Sequence, residues 1–134
     1  MLTPIPLLIV PLAIYNIIVF LTPGVEWGAS IASIAMMSGA TWPITVGDAF
    51  LAFCLFILLF EVLKATRISS RSIIDHILSI LVFVLALVEF LLVPQAGTSE
   101  FALLVAIMLL DVITGFSVSV RVAQRDVALT PPNG

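Results

Sequence analysis

The chain has 134 residues, of which 62% are hydrophobic and 10% charged, with a net charge of -3 and a mean hydropathy of +1.31. So few polar groups cannot cover the surface of a soluble domain of this size, and the composition is that of an integral membrane protein. The five basic residues form no dense cluster and the acids form no tail, which argues against a nucleic-acid partner, and the single cysteine, Cys54, excludes an internal disulfide framework and a cysteine-based metal site.

Residues 5–21 form the first apolar run, just long enough to span, with Pro4 and Pro6 where a missing N–H costs nothing. No Lys or Arg precedes the run and no small-x-small cleavage site follows it closely, so it reads as a retained helix rather than a signal peptide. Pro11 removes a rung of the helical ladder and predicts a kink, while Asn16 is the one strongly polar side chain here, suited to an interhelical hydrogen bond. Thr22, Pro23 and Gly24 stop the helix. Residues 25–37 are apolar but too short to cross a bilayer. Glu26, Ser30 and Ser33 recur there at steps of four and three, which predicts a short interfacial or re-entrant helix flanked by Trp27 and Trp42 as interface anchors. Its small residues, Gly28, Ala29, Ala32 and Ala35 among them, predict close packing against a neighbour.

Residues 38–43 read as a loop, after which Thr45 and Asp48 have the spacing of a capping box that opens a second spanning helix over residues 47–64. Near its end Glu61 and Lys64 lie one turn apart, predicting an ion pair at the membrane surface. Residues 65–72 carry Arg67 and Arg71, and Ser72 with Asp75 predicts the cap of a third helix over residues 73–93. Along it Asp75, Ser79, Val82, Ala86, Glu89 and Val93 alternate steps of four and three, a seam that turns Glu89 inward beside the packing residues Ser79 and Ala86. His76, with no second His or Cys nearby, is a poor metal ligand.

Residues 94–99 turn tightly into a fourth helix over residues 101–121, with Thr98 or Ser99 as its cap and Glu100 in its first turn. Asp111 lies about 15 Å along this helix from Phe101, near the midplane of a hydrocarbon core about 30 Å thick. An ionisable group at that depth faces other helices or water, and the spacing places it with Thr114, Gly115 and Ser119 on one face. Glu89 lies only about 6 Å from the outer end of its own helix, so each acid is expected to find its own partner, Asn16 or Thr114 for Asp111.

The basic residues Lys64, Arg67, Arg71, Arg121 and Arg125 all fall at the second connection or at the end of the fourth helix and beyond it, and the first and third connections have none. The positive-inside rule then predicts an all-α protein of four transmembrane helices with both termini cytoplasmic, residues 1–126 forming one domain and 127–134 a disordered tail. In a bacterium this is the inner membrane. No nucleophile with a base, phosphate-binding loop or metal cluster is legible, so no catalytic residue, metal or cofactor is expected. Two functions fit. One is a non-enzymatic accessory subunit or homo-oligomeric scaffold, part of a larger membrane complex, whose helices are tied by polar groups within the lipid bilayer. The other is a small proton- or cation-coupled transporter or channel using Asp111 as its midplane carboxylate.

Overall fold

The computed structural model describes residues 5–65 and 70–129. In chain order the elements are helix α1 (Ile9–Leu21), strands β1 (Ser30–Ala35) and β2 (Thr41–Thr45), helices α2 (Val46–Ala65) and α3 (Ser70–Leu92), a 3-10 turn (Pro94–Ala96) and helix α4 (Ser99–Leu129). Three segments, Val46–Lys64, Ile73–Leu92 and Ser99–Val118, are long and apolar enough to cross a membrane.

The first helix is shorter than the apolar run that contains it. α1 has 13 residues, about 20 Å by the helical rise, which is less than a hydrocarbon core. Pro11 falls in its first turn, where backbone N–H groups have no intrahelical acceptor, so it opens the helix instead of kinking it. The carbonyl of Leu7 is taken up by the N–H of Val10 at 3.0 Å.

The short helix expected over residues 25–37 is instead one arm of a β-hairpin. β1 and β2 pair antiparallel, with Ala32 opposite Ile44, Ser33 opposite Pro43, Ile34 opposite Trp42 and Ala35 opposite Thr41. The three-residue repeat in β1 points to a helix, since along a strand it alternates between faces, but the partner segment decides: Thr41, Trp42, Ile44 and Thr45 favour strand and Pro43 bars a helix interior. Gly39 makes the turn at φ +92°, where a side chain would be strained. Gly28 does not serve close packing within the chain, since a Cβ there would meet nothing within 4 Å.

Caps hold the long helices where their side chains predict. Thr45 and Asp48 exchange two side-chain-to-backbone bonds of 3.0 Å at the start of α2, and Thr98 Oγ1 accepts from the N–H of Phe101 at the start of α4. α3 departs from expectation, beginning at Ser70, so that Asp75 lies in its second turn and is free to face a neighbouring helix. α4 runs on through Leu129, making residues 127–129 helical where a tail was expected; residues 130–134 lie outside the described residues.

α4 is the central element, packing along both α2 and α3, while α1 lies against α2 and the 3-10 turn. Its inward stripe is Phe101, Leu104, Met108, Asp111 and Gly115, all buried at helical spacing. α2 and α4 run in the same direction. The Glu100 carboxyl lies over Gly47, where a Cβ would come within 2.5 Å of it, and eleven residues further along α4 Asp111 meets Glu61 of α2.

The core between these points is aromatic at one end. Trp27, expected at the interface, is buried and stacks on Tyr15 with ring centroids 5.1 Å apart; Phe101 meets Tyr15 edge-on at 4.8 Å, and Phe50 closes the group. The Tyr15 hydroxyl lies 2.6 Å from Thr98 Oγ1 and donates to the carbonyl of Gln95, which fastens α1 to the turn between α3 and α4.

Candidate functional site: a buried carboxyl and lysine cluster

At the opposite end from the aromatic group, four ionisable side chains from three helices converge. Glu61 is 2% exposed and Asp111 6%, so both carboxyl groups are out of solvent. Lys64 joins them to α3: its Nζ lies 3.0 Å from Glu61 Oε1 and 3.2 Å from Asp75 Oδ1. Asp75 Oδ1 pairs with the ammonium by charge, without hydrogen-bond alignment.

The segment ahead of α1 closes the cluster with backbone groups alone. Lys64 Nζ donates to the carbonyl of Ile5 at 2.5 Å, and the N–H of Leu7 donates to Glu61 Oε1 at 2.8 Å. Each of these bonds satisfies a backbone group and a buried charge together, which is how buried ions persist in a low-dielectric site.

Asp111 hydrogen-bonds the side chains of Glu61 and Ser79. An ionised carboxylate is an acceptor only, so two carboxyl groups can bond to each other only by holding one proton between them. The Ser79 hydroxyl supplies a donor from α3. The cluster can therefore store a proton, and it ties α2, α3, α4 and the segment before α1 at one place.

His76 borders the cluster. It packs on Gly115, where a Cβ would come within 2.6 Å of its Nδ1, so the glycine is what lets α3 approach α4 at this level. A second polar group lies elsewhere: Asn16 Nδ2 donates to the carbonyl of Leu12 at 2.9 Å and to Glu89 Oε1 at 3.3 Å, while the buried Glu89 Oε2 has no hydrogen-bond partner among the described residues.

Of the residues singled out by sequence, Asp111, Ser79, Glu61 and Lys64 come together, with Gly115 beside them. The ion pair expected between Glu61 and Lys64 forms, and Glu61 is also buried, because α2 and α4 are parallel and in a register that sets it against Asp111. Asn16, one of the two partners expected for Asp111 beside Thr114, serves Glu89 instead. Ala86 is buried in the α3 seam and Thr114 is half-buried on α4. Arg67 lies outside the described residues, as do the side chains of Arg71, Ser119, Arg121 and Arg125.

Sequence reasoning placed Asp75 on the inward seam of α3 but gave it only the role of a cap, and it missed the backbone of Ile5 and Leu7. A usable signal exists in the two caps: Glu61 lies sixteen residues after Thr45 and Asp111 thirteen after Thr98, within about one helical turn of each other when both helices are counted from the same side. Among the described residues no group of three or more His, Cys, Asp or Glu could hold a metal ion. No family model, no curated protein and no solved structure matches this chain.

Proposed function

We propose that the protein is a small, non-enzymatic multi-pass membrane protein that acts by packing, as an accessory subunit of a larger membrane complex or as a homo-oligomeric scaffold. The observation that carries this reading is the closure of the buried cluster from within the chain: Lys64 is engaged by Glu61, Asp75 and Ile5, Glu61 by Leu7 and Asp111, and Asp111 by Ser79. A network closed in this way fixes helix register. Around it the three long helices present broad apolar surface, including Phe56 and Phe60 of α2, Leu81 and Leu85 of α3, and Leu110 and Phe116 of α4, to lipid or to other subunits.

A fourth crossing by residues 5–21 belongs to this proposal. Leu7 bonds to Glu61 at one end of α2 and Tyr15 bonds to Thr98 at the far end of α4, so this segment runs the height between the two sites. With four crossings, the distribution of basic residues sets both termini in the cytoplasm, and in a bacterium the membrane is the inner one. Native mass spectrometry from gentle detergent tests the assembly: a defined oligomer or a co-purifying membrane subunit is the expected result, and a monomer with no bound protein contradicts it.

A second reading, a small proton- or cation-coupled transporter or channel, is favoured by the bond between Glu61 and Asp111, since a proton held between two buried carboxyls is one that can be exchanged. Reconstituted in liposomes, a transporter gives flux that disappears in Asp111→Asn; the packing reading predicts no flux from either protein.

A further inference from the structure

The hairpin of β1 and β2 is the part of the chain least explained by the helix cluster. Its register sets two cross-strand pairs, Ala32 with Ile44 and Ile34 with Trp42, on one face, and Ser33 with Pro43 and Ala35 with Thr41 on the other. One face is therefore apolar and carries a tryptophan, and the other is small and weakly polar. Ile34, Trp42 and the turn residues Met36 and Met37 are all exposed. A two-stranded hairpin is marginal by itself in water and needs a surface to lie on, and no charged residue occurs between Glu26 and Asp48.

The base of the hairpin fixes where that surface must be. The N–H of Val46 donates to the carbonyl of Ala29 at 3.0 Å and the N–H of Gly47 to that of Trp27 at 2.8 Å, so the hairpin is bolted to the first two residues of the apolar segment Val46–Lys64. A membrane crossed by that segment has its boundary at the hairpin's root. There an uncharged, amphipathic element with a tryptophan on its apolar face meets the chemistry of the headgroup and upper acyl region. We propose that the hairpin lies on and partly in the leaflet at the Val46 end of α2, with Ile34, Met36, Met37 and Trp42 turned to lipid. This surface would bind bilayer rather than protein, and it would hold the α1 to α2 connection flat against the membrane.

The inference rests on the membrane reading above, and spin-label accessibility separates the two. Single cysteines at Ile34→Cys, Met37→Cys, Ser33→Cys and Thr41→Cys are labelled in protein reconstituted into vesicles of phosphatidylcholine and phosphatidylglycerol; the native Cys54 is buried and serves as the unlabelled background. A label at Phe56→Cys, exposed on α2, reports the membrane reading by itself. Labels at 34 and 37 are expected to collide more with oxygen than with a water-soluble nickel chelate, and labels at 33 and 41 the reverse. Preference for nickel at all four hairpin positions, with oxygen preferred at 56, overturns the inference and leaves the membrane reading intact; nickel preference at 56 as well overturns both. Spin-spin broadening between copies at 34 and 37, without oxygen preference, overturns it in favour of a second copy as the covering surface. In unlabelled protein, brominated lipid should quench Trp42, because Trp27 is buried in its aromatic stack; quenching by aqueous acrylamide alone overturns the inference independently of any substitution.

Discussion

At the start of α2 and α4, Tyr15, Trp27, Phe50 and Phe101 interlock through ring faces and edges; further along the same helices, Glu61, Lys64, Asp75 and Asp111 meet through charge and hydrogen bonds. Both ends fasten α1, or the segment before it, to the parallel pair of helices. Their tolerance differs in kind. The aromatic end consists of many weak contacts that lose strength by degrees, whereas each member of the polar end satisfies another, so a single removal strands a buried charge.

Removing the lysine is therefore the most damaging change. Lys64→Met leaves Glu61 and Asp75 without their cation and is expected to cost about 3–5 kcal/mol in reversible unfolding from detergent micelles. Combining it with Asp75→Asn should recover part of that loss, since one stranded carboxylate is removed with its partner. A recovery of nothing would mean that the two residues are not coupled.

The aromatic end should yield more gradually. Trp27→Ala is expected to cost about 3 kcal/mol by emptying the stack, while Tyr15→Phe keeps the ring contacts, loses only the bonds to Thr98 and Gln95, and should cost about 1 kcal/mol. Thermal unfolding followed by near-ultraviolet circular dichroism reads both. A Tyr15→Phe loss as large as that of Lys64→Met would erase the contrast between the two ends. Between these lies Gly115→Ala, whose added methyl meets His76 and should cost about 2 kcal/mol by the same measurement; an unchanged melting temperature would show that α3 does not approach α4 there.

The parts of this structure legible in the sequence are the local ones. Thr45 with Asp48 and Thr98 announce helix starts by side chains that bond backbone a few residues away, and the seam from Ser79 to Ala86 announces its buried face by spacing alone. The inward direction of Asp111 follows from the cost of exposing an acid to lipid. What stayed hidden is tertiary. The pairing of Glu61 with Lys64 was legible from their spacing, but the contact of Glu61 with Asp111 was not, because it depends on the parallel register of α2 and α4. The hairpin was hidden because a strand depends on a partner that sequence periodicity does not reveal, and Pro43 within that partner disguised it as a loop.

The bond between Glu61 and Asp111 is the joint between α2 and α4 on which the polar cluster depends most. Infrared spectroscopy of the reconstituted protein at neutral pH, compared with Asp111→Asn, observes it directly. The shared proton predicts a protonated-carboxyl carbonyl band in the wild type that is lost in Asp111→Asn, with helix content unchanged because the asparagine amide can still donate to Glu61. A wild-type spectrum containing only ionised carboxylates would contradict it.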